Sequence, residues 1–84
     1  MKKNIKMELS DINDVVVEQI CELFDVLPGN NLTTSNIKDW DSINHINLMV
    51  MIEDVFKINL DYTEFKNCDN NTKISKLVLV TINE

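Results

Sequence analysis

The stretch Lys38–Phe56 reads KDWDSINHINLMVMIEDVF and decides the fold of this chain. Its apolar residues recur at steps of three and four, the spacing of a helix face. The predicted helix starts near Asp41 or Ser42 and continues to about Phe56. Its apolar surface is too wide for a surface helix, so either it lies centrally in a bundle or part stays exposed for a partner. The stripe contains Ile43, Ile46, Met49, Val50, Ile52 and Phe56, widened by Leu48, Met51 and Val55.

A similar apolar period precedes this stretch. It predicts a first helix from about Ile12 to Leu27. Ser10 or Asp11 is the expected N-cap, and Pro28-Gly29 is expected to end the helix.

A polar segment, NNLTTSNIKDW at residues 30–40, separates the two helices and predicts a long loop. We expect Leu32, Ile37 and Trp40 to pin it to the core. Trp40 could serve as a binding-site aromatic, but we interpret it as an anchor that packs the end of the loop.

The C-terminal third predicts two more helices. DYTEF, residues 61–65, suits a single helical turn capped by Asp61, and Thr72–Ile82 suits a last helix. Its β-branched residues also fit a strand, but no partner strand is expected. The predicted fold is all-α: a small bundle of three main helices and one short helix, in one domain over 1–84, with residues 1–6 as a loosely ordered tail.

Charge and composition narrow the functional classes. The net charge is −6, and there is no arginine. From residue 7 onward the chain has 14 acidic residues and five lysines, which gives this part a charge of −9. Nucleic-acid binding needs clustered cations and is therefore not expected. An acidic surface suits basic protein partners, although it also simply keeps a small protein in solution.

The sequence also predicts where the protein is located and the state of its two cysteines. MELSDIND lacks the apolar core of a secretory signal, and no apolar run is long enough to span a bilayer. We expect a cytoplasmic protein without membrane insertion. Cys21 and Cys68 form no CxxC pair, so we expect reduced packing cysteines and no zinc site.

The sequence gives only weak support for a catalytic or metal-binding site. His45, the only histidine, lies three residues after Ser42 and shares its helix face, so a Ser-His hydrolase is one interpretation. The chain offers no obvious oxyanion donors or substrate pocket, and a satisfied or exposed histidine is the better interpretation. Glu53 and Asp54 diverge by about 100° on a helix and lack a third metal ligand, so they fit an acidic contact patch.

Ser42 has two interpretations. If Asp41 is the N-cap, Ser42 enters the first turn with a free hydroxyl near the positive end of the helix dipole. If Ser42 is itself the N-cap, its hydroxyl binds the helix amides and its role is structural. The sequence leaves both open.

The segment WDSINHINLMVMIEDVFKINL resembles the modification-site helix of acyl carrier proteins, whose hallmark is Asp-Ser-Leu at the start of the second helix. Here that tripeptide is Asp41-Ser42-Ile43. The spacing to the acidic pair, to Phe56 and to the turn before the short third helix is similar, and so are the first helix and its loop. The resemblance therefore spans nearly the whole chain. Trp40, Asn44 and Asn47 depart from the pattern of fatty-acid carriers, in which the positions of the two asparagines are often acidic. A tryptophan before Asp-Ser looks more like carriers of specialised pathways, or of the peptidyl type.

This resemblance implies that Ser42 carries a 4′-phosphopantetheine arm, installed from coenzyme A by a phosphopantetheinyl transferase that uses Mg²⁺. The arm's thiol would hold an acyl or aminoacyl thioester for a loading ligase and for downstream acyl-processing enzymes. The expected docking residues are Ile43 and Val50, which are apolar, and Asp41, Glu53 and Asp54, which are acidic. We expect a monomeric carrier without catalysis of its own. The alternative is an unmodified carrier-like interaction module in which Ser42 is only a helix cap.

Overall fold

The computed structural model describes residues 7–29 and 32–84, which form four α-helices and no strand. The prediction of a small all-α bundle with three main helices and one short helix is confirmed. The predicted tail, residues 1–6, lies outside the described residues. Within them, no helix combines the length and apolarity needed to cross a membrane. The helices are α1 (Leu9–Phe24), α2 (Ser42–Phe56), α3 (Tyr62–Phe65) and α4 (Asn71–Ile82).

The start of α1 differs from the prediction. Its N-cap is Glu8, and the Glu8 backbone N–H donates to the Asp11 carboxylate at 3.4 Å. Asp11 therefore stabilises the helix from its third position, as in a capping box, and neither Ser10 nor Asp11 is the cap.

The end of α1 also differs, because the helix stops at Phe24 rather than Leu27. Asp25 adopts a left-handed conformation with φ of 56°, and the Val26 N–H donates to the Cys21 carbonyl at 3.2 Å. Aspartate tolerates this conformation better than most residues, and the residue before proline disfavours helix. The chain therefore leaves the helix early, and Leu27 is 86 % exposed.

The core lies where α1 packs on α4 and, over a smaller contact, on α2. The completely buried aliphatic side chains come from these three helices, and Phe65 adds the short α3 to the same cluster. The fully buried aliphatic residues are Ile12, Val16, Ile20, Leu48, Ile52, Ile74 and Val78.

A polar cluster joins α1 to α4 beside this core. The Asn13 side-chain oxygen accepts hydrogen bonds from the Asn71 amide at 2.8 Å and from the Ser75 hydroxyl at 3.0 Å. Ser75 is fully buried and Asn71 nearly so. The apolar period of the sequence carries no signal for this cluster, because its members fall on polar positions between the apolar ones.

The long loop is anchored as predicted. Leu32, Ile37 and Trp40 are all buried. An isolated antiparallel bridge between Thr33 and Asn70 ties the loop to the segment before α4. These contacts therefore fix the position of the loop from which α2 begins.

Candidate functional site

Asp41 caps the N-terminus of α2. Its carboxylate accepts a hydrogen bond from the Asn44 backbone N–H at 2.9 Å, and its carbonyl accepts the His45 N–H at 2.8 Å. The first bond satisfies a helix amide that has no partner inside the helix, and the second is the first backbone bond of the helix itself. The cap of α2 is therefore Asp41, and Ser42 does not fill that role.

Ser42 is the first residue of α2 and is exposed. Among the described residues, its hydroxyl forms no hydrogen bond. The arrangement leaves a solvent-accessible oxygen nucleophile at the positive end of a 15-residue helix. Such a hydroxyl can be esterified by an external active site without loss of a bond that stabilises the fold.

Two asparagines link this helix end to the loop before it. The Asn44 side-chain amide donates to the Asp39 carbonyl at 2.9 Å, and the Asn47 amide donates to the Asn44 side-chain oxygen at 3.1 Å. Asn44 and Asn47 thus form a chain of hydrogen bonds that holds the N-terminal end of α2 against the preceding loop. Sequence reasoning missed this role.

His45 is buried, and both of its ring nitrogens are occupied. The Trp40 indole N–H donates to His45 Nδ1 at 2.8 Å, and His45 Nε2 lies 2.8 Å from the Phe65 carbonyl oxygen. Because an indole N–H can only donate, Nδ1 must accept, and the proton must sit on Nε2 and be donated to Phe65. His45 is the satisfied histidine that the sequence suggested, and neither nitrogen is free for Ser42.

Trp40 is the anchor that the sequence predicted. It is 5 % exposed, and its ring lies 5.3 Å from that of Phe24 between centroids. The His45 ring continues the stack and lies 4.4 Å from that of Phe65. These aromatic contacts join α1, the loop, α2 and α3 directly behind the helix end that carries Ser42.

The outward face of α2 carries a stripe of exposed side chains. Positions spaced by four, seven and eleven residues from Ile43 lie on one side of a helix. Ile43 is 71 % exposed and Val50 54 % exposed. Both predicted apolar docking residues therefore face solvent on the same side. We call this surface the outer stripe, and it consists of Ile43, Ile46, Asn47, Val50 and Asp54.

The three predicted acidic docking residues have different surroundings. Asp41 and Asp54 are exposed, and Asp54 lies 3.7 Å from the Lys57 ammonium group. Glu53 is half-buried, and its carboxylate accepts the Leu60 backbone N–H at 2.8 Å. Glu53 therefore holds the turn after α2, while Asp41 and Asp54 remain open to a partner. No sequence signal distinguished the two members of the acidic pair.

Comparisons with protein-family models, with curated proteins and with solved structures found no match to this chain. Its function has to be inferred from the residues around Ser42 and along the outer stripe.

Proposed function

We propose that this chain is a stand-alone acyl or aminoacyl carrier protein in which Ser42 is esterified with 4′-phosphopantetheine. The observation that supports this proposal is that two adjacent residues have separate roles at the start of α2. Asp41 satisfies the helix amides, and the adjacent Ser42 hydroxyl stays exposed and unbonded within the described part of the chain.

The electrostatics of this position are compatible with a phosphodiester. A negative group at an exposed helix N-terminus gains about 0.3–1 kcal/mol from the helix dipole. The Asp41 carboxylate opposes part of that gain. The phosphodiester therefore needs no specific protein cradle, and the arm can move as a flexible tether. A thioester on its thiol would be presented to other enzymes at high effective concentration.

The outer stripe is the proposed docking surface for those enzymes. Ile43 and Val50 supply exposed apolar area beside the modified serine, and Asp41 and Asp54 supply negative charge. Charges at the rim of an interface mainly set association rate and salt dependence, which suits a carrier that visits several enzymes in turn. The proposed partners are a phosphopantetheinyl transferase, a loading ligase and acyl-processing enzymes, met by a monomeric carrier in the cytoplasm.

The state of His45 favours a carrier over a Ser-His hydrolase. A general base for Ser42 needs a free ring nitrogen within hydrogen-bond reach of the hydroxyl. In His45, one nitrogen accepts from Trp40 and the other donates to Phe65. We therefore propose that the chemistry is supplied by the partner enzymes.

Intact-mass measurement after incubation with coenzyme A, Mg²⁺ and a broad-specificity transferase tests the proposal. We expect the wild-type protein to gain one phosphopantetheine arm and Ser42→Ala to gain none. Ser35→Ala is the matched control, because Ser35 is also an exposed serine but lies in the loop, and it should be modified like the wild type. An unmodified wild-type protein with several transferases would favour the interaction module that uses the outer stripe without any arm.

A further inference from the structure

A groove of about 340 Å³ opens beside Ser42, which lies on its rim. The groove runs between the first turn of α2, the short helix α3 and the segment that follows α3. Any chain attached to Ser42 starts at this groove, so a tethered group that folds back onto the protein beside Ser42 meets its walls and floor.

Trp40 and His45 form the floor of the groove. Both line it, yet each is at least 94 % buried, so they present only an edge to it and pack inward. Their hydrogen bonds are complete, from Trp40 to His45 and from His45 to the Phe65 carbonyl. The fully buried Phe65 ring lies against the inner side of His45. The path from Ser42 toward the hydrophobic core is therefore filled by three hydrogen-bonded or stacked residues.

To enter the core through the floor of this groove, a hydrocarbon chain would have to displace these rings. It would separate the indole N–H and the Phe65 carbonyl from their partner without replacing either bond, because an alkyl chain neither donates nor accepts hydrogen bonds. Buried polar groups left unpaired in this way are strongly unfavourable. Forcing extra atoms into a packed interior adds strain. The floor thus acts as a barrier to alkyl groups.

The walls of the groove are polar and charged. They include the Asp41 and Asp69 carboxylates, the Lys66 ammonium group and the Tyr62 side chain. Asp69 is paired with Lys73 at 3.2 Å, whereas Asp41 and Lys66 have no ion-pair partner among the described residues. These groups can donate hydrogen bonds to, or accept them from, hydroxyl, amide and amino groups of a tethered chain.

We propose that this floor bars the tethered chain from the core, so that the carrier takes short, polar acyl groups of the hydroxyacyl or aminoacyl class. A long alkyl chain on the tether would stay exposed to water, which is unfavourable in proportion to its apolar area. This inference rests on the proposed carrier function and specifies its substrate class.

Loading the protein with acetyl or octanoyl phosphopantetheine from the corresponding coenzyme A thioesters tests the inference. We expect the melting temperatures of the octanoyl and acetyl forms to agree within about 3 °C, since no methylene is buried. Burying four or more methylenes would raise the melting temperature by roughly 10 °C or more. Emission of Trp40, the only tryptophan, should likewise be the same in both forms. A rise of more than about 3 °C, or a shift of Trp40 emission with octanoyl alone, would overturn the inference.

Opening the floor provides a second readout. In His45→Ala the removed imidazole leaves space between Ser42 and Phe65, and octanoyl loading should now raise the melting temperature relative to the acetyl form. An octanoyl group that stabilises the wild type as much as this variant contradicts a barrier at His45. If the variant does not fold, the wild-type comparison decides the question.

Chemical attachment separates this inference from the carrier function. In Cys21→Ala/Ser42→Cys the exposed thiol at position 42 can be alkylated with iodoacetamide or with N-octyl iodoacetamide. Burial raises the pKa of the remaining Cys68 thiol, so that thiol reacts more slowly. Failure of every transferase to modify Ser42 would count against the carrier function alone. Stabilisation by the octyl adduct over the small adduct would count against the barrier alone.

Discussion

The two faces of α2 are similar in sequence and opposite in environment. The inner face carries His45, Leu48 and Ile52, all buried, and the outer stripe carries Ile43 and Val50, both more than half exposed. Apolar side chains occur on both faces, so hydrophobicity does not tell them apart. The difference is that the inner face has neighbours in α1, the loop and α3, whereas the outer face has none among residues 7–29 and 32–84. An apolar surface of this kind beside an exposed serine supports our proposal that partner enzymes dock on the outer stripe.

The largest expected effect comes from truncating one aliphatic side chain on each face of α2. Leu48→Ala should lower the free energy of unfolding by about 2–5 kcal/mol, because it leaves a cavity in the core. Ile43→Ala should change it by at most about 0.5 kcal/mol, because its side chain is already in water. Urea denaturation measures both. Equal losses in the two variants would mean that the outer stripe is packed and unavailable for docking.

His45 tests whether the inner face also depends on its polar bonds. His45→Ala should cost about 1–3 kcal/mol for each partner left unpaired, namely the Trp40 N–H and the Phe65 carbonyl. Trp40→Phe keeps a ring but removes the donor. A double-mutant cycle between the two positions should give a coupling of about 0.5–3 kcal/mol. Additive losses would show that the hydrogen bond between Trp40 and His45 contributes no stability.

The outer stripe should matter for modification rather than for folding. Asp54→Lys should slow loading of Ser42 by the transferase about tenfold at low salt, equivalent to about 1.4 kcal/mol, and should flatten the salt dependence of the rate. Asp14→Lys makes the same charge change on an exposed position of α1 and is the matched control. Glu53 is unsuitable for this test because its carboxylate holds the Leu60 amide. Equal rates for both variants would exclude the acidic part of the stripe from docking.

The smallest expected effect concerns the two adjacent residues at the start of α2. Asp41→Ala should lower the free energy of unfolding by about 1 kcal/mol, because it removes the N-cap. Ser42→Ala should leave it within about 0.5 kcal/mol of the wild type, because the hydroxyl makes no bond among the described residues. Thermal and urea denaturation can resolve this pair. A larger loss in Ser42→Ala than in Asp41→Ala would reverse the assignment of the cap.

Much of the fold could be predicted because local patterns agree with the final structure. Asp61 caps α3 through the Thr63 N–H at 2.9 Å, as its type and position suggest. The helix α4 starts one residue before the predicted Thr72, with Asn70 as its cap. The prediction for α1 was shifted by about three residues at both ends. Several polar residues near each end of α1 could cap or end the helix. The spacing of the apolar residues does not show that Glu8 is the N-cap or that Asp25 adopts the left-handed conformation.

The candidate site was predictable in part. The chain order brought Ser42, Ile43 and Val50 onto one helix, and the structure leaves all three exposed. The separate roles of Glu53 and Asp54 were not predictable, because the Leu60 amide that binds Glu53 reaches it only after the chain turns at Lys57. The bonds of Trp40 and His45 likewise depend on Phe65, 20 residues further along the chain than His45.

The amino-acid order alone specified four helices, the long anchored loop and the position of Asp41 and Ser42 at the start of α2, because these features depend on patterns within a few residues. Folding in three dimensions assigned one apolar face of α2 to the core and the other to solvent. It also closed the path from Ser42 to the interior with Trp40, His45 and Phe65. The physical reason is that burial and hydrogen-bond satisfaction depend on which distant segments become neighbours, and residues of the same apolar type differ only in the neighbours they acquire.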